Sequence, residues 1–369
     1  MTHLMRAARL HTVGQPMSID QVERPVAMGS DVVVEVKACG MVPNLANVLA
    51  NWETWYPQMP LPPRPAIHGL DPSGIVHQVG PQVVNIKRGD RVYINPGRFC
   101  GACHHCSSGR PQACEHWTLG GYFGYNPKSL EMFSRYPYGG FGEFILAPQA
   151  QVIRIPDNMS FVQGSRMGYL GTSYAALKKC GSLMGKSLII NGATGTLGLG
   201  ATLFALAMGI GKIYAVARGE RLLERLKALS PERIVTFSNT QGSSGAFVKQ
   251  QTGGSGADLM LDTLGAKAPL DSMLDAMGGV KRGGRIVNIG GTSGPLPVDV
   301  KWWMDEQMEL MGSVWFTAAE GMEIAAMIGS GIIDMSVMTP MVWPLEKINE
   351  AISGVGKSDG GFTYYAVEI

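Results

Sequence analysis

The sequence predicts a two-part α/β protein: a β-rich, barrel-like half, then a parallel sheet wrapped by helices. Three observations carry this. The chain has 369 residues, more than one ordinary hydrophobic core organises. Residues 1–155 hold short β-branched or alternating runs punctuated by Gly, Pro and Asp. From Lys186 onward apolar strands alternate with helical stretches, as in a doubly wound parallel sheet.

In the first half, Asp31 to Lys37 (DVVVEVK), Gly74 to Val79, Asp90 to Ile94, Phe141 to Ala147 and Gln151 to Ile155 read as strands. Pro60 to Pro65 (PLPPRP) reads as an extended loop, because proline fixes φ and removes a donor. The pattern changes near Pro156. Ser187 to Asn191 is a buried strand, and Gly195 to Met208 a buried helix. Ile213 to Ala217 is a strand, and Glu220 to Leu229 an amphipathic helix. Ile234 to Phe237, Asp258 to Asp262 and Arg285 to Ile289 continue the series. Within it, GSSG and GGSG flank a short polar helix and read as loops rather than a domain linker. After Trp302 the character is mixed again, and no internal repeat is present.

Composition narrows the class. With 45% hydrophobic and 16% charged residues, the chain reads as a well-buried enzyme, not a disordered segment. A net charge of +2 gives no reason to expect nucleic acid or an anionic membrane as partner. Met1 to Gly14 lacks the apolar run of a signal peptide, and Thr202 to Gly211 is too short to span a bilayer. Six cysteines, four of them clustered, do not read as a secreted disulfide framework, so a reducing cytoplasm is expected.

The cluster is FCGACHHCSSGRPQAC, with Cys100, Cys103, Cys106 and Cys114. Two overlapping Cys-x-x-Cys turns and a return loop deliver four sulfurs to one point, which suits tetrahedral Zn²⁺. Four thiolates leave no open position, so this metal would stabilise a lobe rather than catalyse. An iron–sulfur cluster and redox dithiols are the competing readings; the fourth spacing and the missing Cys-Pro argue against the cluster. His104 and His105 fall within the turns and are expected to face solvent.

The second motif is SLIINGATGTLG, an apolar strand running into a helix. Small residues at Gly192, Ala193, Gly195 and Gly198 let backbone approach a pyrophosphate, and the helix start offers free N–H groups. Thr194, Thr196 and Leu197 complete the turn. Its place at a strand–helix junction makes it a dinucleotide signal. An NAD-preferring site ends the next strand with an acid that holds the ribose hydroxyls. Ala217 stands there, followed by Arg218 and Arg221, which suit a 2′-phosphate. NADP(H) is therefore expected over NAD(H). The alternative is that both arginines form the solvated face of the next helix.

These motifs, with VVVEVKACG, GLDPSGIVHQVG, GDRVYINP, GGFGEFILAP, GADLMLDTLG and GGRIVNIGG, cover essentially the whole chain. In that order they resemble the medium-chain dehydrogenase/reductase superfamily, in its zinc-containing alcohol dehydrogenase branch. The resemblance implies a GroES-like β-barrel catalytic domain over 1–158 and a Rossmann domain over 159–301. The remaining 302–369 would return to the catalytic domain. It also implies a homodimer or homotetramer acting on a small molecule.

The resemblance breaks at the catalytic metal. The three positions where the family places zinc ligands match Val42, Leu70 and Gly168, or its neighbours in RMGYLGTSY. The first two side chains, and a glycine, cannot bind zinc. A shifted site from Cys39, His68 and Asp71 is the alternative. The family's proton-relay positions match Asn44 and Asn47. The resemblance places Tyr56 in a loop over the substrate cleft, where Trp52, Trp55 and Tyr56 form an aromatic wall or pack the loop. Thr172 would lie near the nicotinamide or in the core, and Gly290, Gly291 and Thr292 in the cleft. Trp302 and Trp303 would face the cleft or a subunit contact. Catalytic roles are expected of His68, Asp71, Tyr56 and Asn44, the alternative for the first two being a hydrogen-bonded structural pair. Without a Lewis acid, hydride transfer suits an activated C=C or C=N bond in a bulky or aromatic substrate. A zinc-independent alcohol dehydrogenase and a non-catalytic dinucleotide-binding protein are the alternatives.

Overall fold

A computed structural model describes residues 3–356 and 359–369. Met1 and Thr2, the start of the N-terminal stretch read above, lie outside the described residues. The chain divides into two compact units, 1–168 with 315–358 and 363–369, and 169–314 with 359–362.

The first unit is built on a seven-stranded sheet. Its axis is Asp31–Gly40, which pairs antiparallel with Asp71–Val79 on one side. Its other side is shared: residues 31–35 pair with Phe144–Pro148, and 38–40 with Thr363–Glu368. Alternation explains the strand. Val32, Val34 and Val36 point into one apolar cluster with Val76, Val92, Ile94 and Ile145. A smaller sheet orders Ser18–Glu23, Leu4–Leu10 and Ala66–Ile67. This is the GroES-like domain.

The second unit carries six parallel strands. Across the sheet they run Ile234–Ser238, Lys212–Ala217, Ser187–Asn191, Ala257–Asp262, Val280–Asn288 and Glu309–Gly312. In chain order that is 3-2-1-4-5-6, the Rossmann arrangement, in which the order of the strands across the sheet reverses between the first and the fourth. Ile189, Val216, Met260 and Ile286 from neighbouring strands share one core, and Trp303 packs against it. Trp302 is partly exposed.

The structure corrects the reading of NWETWYP. Leu45–Trp55 is a helix that buries Leu45 and Val48, so Trp52 and Trp55 are helical and Tyr56 is its C-cap rather than a loop residue. Only two of its positions are buried, which leaves a weak apolar period in the sequence. Elsewhere the differences are at ends: the strand expected over residues 141–147 is 144–148, and the one expected from Gly74 begins at Asp71. The polar stretch between the two Gly/Ser clusters forms the helix Ser244–Gln251, capped by Ser243.

Candidate active site and metal centre

The cysteine lobe is assembled by local turns. Cys103 starts the short helix His104–Ser107, and Cys114 follows a one-turn helix at Pro111–Ala113. The four ligand atoms lie within 4.8 Å of one another. Individual sulfur separations are 3.5 Å (Cys103–Cys106), 3.6 Å (Cys114–Cys100) and 4.0 Å (Cys100–Cys106). Zinc–sulfur bonds of about 2.3 Å in a tetrahedron put sulfurs roughly 3.8 Å apart, so the quartet fits zinc. Backbone N–H groups of Ala102 and Cys103 hold the Cys100 thiol below its ordinary value. His104 is exposed, whereas His105 is half-buried.

Among the described residues this quartet is the one such cluster; Cys39, His68 and Asp71 do not form a second. Cys39 is fully buried, and burial raises its thiol well above the usual value. His68 and Asp71 are 1% and 2% exposed. His68 Nδ1 lies 3.2 Å from the Gly121 carbonyl oxygen, and burial lowers its pKa to about 4. It is therefore a neutral imidazole donating to that oxygen. Asp71 accepts from the Tyr93 hydroxyl at 2.7 Å and from the Gly168 N–H, and burial raises its carboxyl to about 7. Each group thus has its own partner; they do not pair with each other. Both side chains are buried, so the catalytic roles expected of them have no exposed group behind them, and the alternative, a mutually hydrogen-bonded pair, is not formed either.

Val42 and Leu70 are buried apolar side chains. Gly168 is more informative. A Cβ there would stand 2.1 Å from Asp71 Oδ1 and 2.7 Å from its Cγ. The space a side chain at residue 168 needs is filled by the Asp71 carboxyl. Tyr93 was missed because sheet register, pairing it with Ser73, sets its position beside Asp71.

Asn44 precedes the helix Leu45–Trp55 and is half-buried. Asn47 Nδ2 donates to Asn44 Oδ1 at 2.8 Å, which leaves the Asn44 amide N–H groups as donors. Tyr56 stands at the other end of that 11-residue helix, roughly 17 Å away. The two cannot serve one reacting atom. Tyr56 tilts against Trp52 at 4.6 Å and borders a cavity of about 380 Å³ with Glu53, Met59, Arg64 and Leu130. Trp52 stacks on Phe123 at 4.2 Å and donates Nε1–H to the Met59 carbonyl, so it packs the helix down. The aromatic wall reduces to Trp55 and Tyr56, which remain exposed.

In the second unit the glycine-rich turn joins Ser187–Asn191 to the helix Thr196–Ala207. Gly192 has φ +85°, and a Cβ at Gly198 would meet the Gly192 carbonyl oxygen at 2.4 Å. Those two glycines are demanded by the fold itself. Gly195 has an ordinary φ of −78°, and its nearest atom would be 3.2 Å from an added Cβ. As N-cap without a side chain, it leaves the first-turn N–H groups open to an anion. Ala193 is fully buried.

The remaining cofactor candidates gather around this turn. Gly290 and Gly291 follow Val280–Asn288; the Gly291 N–H donates to the Leu264 carbonyl at 2.7 Å, while Thr292 is half-buried. Leu264 itself follows the neighbouring strand Ala257–Asp262. Thr172, half-buried, lies on the helix Met167–Lys179, whose Ser173 Oγ donates to the Leu197 carbonyl at 2.8 Å. Under the turn, Asn191 Nδ2 donates to Asp262 Oδ1 at 2.8 Å, and burial raises Asp262 to about 6. At the next strand end, Ser238 Oγ pins the Arg218 carbonyl at 2.9 Å and leaves the arginine side chain exposed. Arg221 is paired with Asp359, 3.3 Å at the longer contact. That acid lies 138 residues away and left no local signal in the sequence.

The alcohol dehydrogenase GroES-like domain family matches residues 28–157, and the zinc-binding dehydrogenase family matches 196–329. An alcohol dehydrogenase of Geobacillus stearothermophilus is 31% identical over 94% of both chains. The chain belongs to the zinc-containing alcohol dehydrogenase family. As a member of that family it is an oxidoreductase. An alcohol dehydrogenase of Moraxella sp. (strain TAE123) is 29% identical over 96% of this dehydrogenase and 98% of its own length. A zinc-binding dehydrogenase of Sinorhizobium meliloti 1021, solved bound to NADP, superposes with TM-score 0.81 over the full length of both chains. At 20% identity it shows the shared fold. Among the described residues no helix is long and apolar enough to cross a membrane.

Proposed function

We propose that this dehydrogenase is NADP(H)-dependent, carries zinc only in its cysteine lobe, and reduces an activated C=C or C=N bond of a bulky or aromatic small molecule. The observation that carries this is the Asp71 carboxyl standing where any side chain at Gly168 would be, with Val42 and Leu70 at the other expected ligand positions. Those residues do not fit a catalytic zinc. Arg218 and Arg221 beyond Ala217 support NADP(H).

Cys100, Cys103, Cys106 and Cys114 would hold the structural zinc, whose chemistry is to cross-link the lobe. When bound, the dihydronicotinamide supplies the hydride. The open N–H groups at Thr196–Ala207 bind and orient its pyrophosphate. Hydride addition to a conjugated alkene moves charge onto the carbonyl oxygen. Asn44, held by Asn47, donates an amide N–H to that oxygen. Only a substrate long enough to reach the far end of the helix Leu45–Trp55 would meet Trp55 and Tyr56, and water supplies the last proton.

A second reading, zinc-independent interconversion of alcohol and ketone, draws on the alcohol dehydrogenase names of the relatives. Metal analysis and turnover separate the cases. One zinc per chain, with NADPH-dependent enone reduction that survives mild chelation, is the expected result. Two zincs per chain, or turnover lost on chelation, overturns the proposal, and one zinc with chelation-resistant turnover confined to alcohols and ketones replaces it with the second reading. Asn44→Ala should lower kcat by about 10²-fold in either reading, as loss of an oxyanion donor does.

A further inference from the structure

We infer that Asp359 is a specificity-determining residue, a built-in counter-charge that competes with the 2′-phosphate for Arg221; this rests on the NADP(H) reading above. The acid is held in place from both sides. After it, Gly360 and Gly361 sit on the glycine-rich turn, and the Gly361 N–H donates to the Thr194 carbonyl at 2.8 Å. A Cβ on Gly360 would stand 2.3 Å from Thr194 O, and one on Gly361 2.3 Å from Gly195 O. Only glycine fits at either place. Phe362 then lies under the Arg225 guanidinium, 4.1 Å from its ring centre. The segment is therefore registered against the dinucleotide turn, and its first side chain reaches the helix Glu220–Lys227.

There the Asp359 carboxylate takes both terminal nitrogens of Arg221, and Arg225 stands 3.6 Å from its second oxygen. The Arg221 pair pulls the carboxyl below its usual range. Arg218, by contrast, has no side-chain partner among the described residues. The result is a graded cation site at the strand end that receives the adenosine ribose. Arg218 is open. Arg221 answers a 2′-phosphate only by leaving Asp359. A phosphate carries more charge and more acceptor oxygens than the carboxylate, so it wins the exchange at a discount. A dinucleotide without that phosphate meets Arg221 already neutralised, and Asp359 leaves its binding untouched.

The test uses 2′,5′-ADP, which carries the 2′-phosphate, and 5′-AMP, which does not, titrated against the full chain. Asp359→Asn should tighten 2′,5′-ADP by about two- to fivefold, the yield of one exposed ion pair, and leave 5′-AMP unchanged. Asp359→Ser should do the same, and the gain should vanish in the Arg221→Ala background. The NADPH-to-NADH affinity ratio should rise by the same factor. Equal shifts for both probes, no shift, weaker 2′,5′-ADP binding, or a gain that persists without Arg221 overturns the inference. If Arg218→Ala and Arg221→Ala leave 2′,5′-ADP binding unchanged, the NADP(H) reading falls and takes this inference with it. If they weaken it while Asp359→Asn is silent, only the role of Asp359 falls.

Discussion

At the scale of single residues, Gly168 and Asp71 behave as one unit. A methyl group at residue 168 would overlap the Asp71 carboxyl, 2.1 Å from Oδ1. Gly168→Ala should therefore cost about 1–3 kcal/mol, the range for overpacking a filled interior. Asp71→Ala should also cost about 1–3 kcal/mol, because it strands the buried Tyr93 hydroxyl. The double variant should lose less than the two single losses together, since the smaller residue 71 admits the methyl group. Urea unfolding of the three variants measures this, and simple additivity would refute the interlock. None of it was legible in the sequence. Val42 and Leu70 announced a missing metal by their chemistry alone, but Gly168 could be recognised as filled only once its neighbour was known. Asp359 was hidden for the same reason: its partner is 138 positions distant. The cysteine quartet, by contrast, was readable because all four ligands fall within 15 consecutive residues, 100–114, where turn geometry dominates.

At the scale of elements, the glycine-rich turn separates folding from binding. Gly198 is closed off by the Gly192 carbonyl at 2.4 Å and Ala193 Cα at 2.6 Å, whereas Gly195 has room for a methyl group with a small adjustment. Gly198→Ala should destabilise the second unit by about 1–3 kcal/mol. Gly195→Ala should fold normally yet weaken dinucleotide binding by about tenfold, the loss of a close charged contact. Thermal unfolding and NADPH fluorescence titration distinguish the two, and an equal pattern for both variants would contradict the assignment. The turn was legible because a strand, small residues and a helix follow one another directly. The helix Leu45–Trp55 was not, because its exposed aromatic end and two asparagines blur the apolar period, and its burial rests on Leu45 and Val48 alone.

At the scale of the whole molecule, His68 and Asp71 impose opposing pH dependences. His68 falls from 6.5 to about 4 on folding, so its contribution is present above about 6.5 and is lost as pH falls through 4. Asp71 rises from 3.8 to about 7, so its contribution is present below about 4 and is lost as pH rises through 7. Between about pH 4 and 6.5 the two slopes cancel. His68→Gln should unmask the acid: stability then falls toward pH 7 by up to about 1.4 kcal/mol per pH unit. Asp71→Asn should show the reverse slope. Denaturant unfolding at pH 5, 6 and 7 reads this, and identical slopes in both variants would exclude it. The sheet of the first unit has a temporal consequence as well. Its axial strand Asp31–Gly40 is completed by Thr363–Glu368, whereas every strand of the second unit lies between residues 187 and 312. A chain emerging from the ribosome can close the inserted sheet while the outer one still lacks its last partner. The six parallel strands of the second unit are thus free to pair first, while residues 359–362, which pack on its glycine-rich turn, arrive only with the last strand of the first unit.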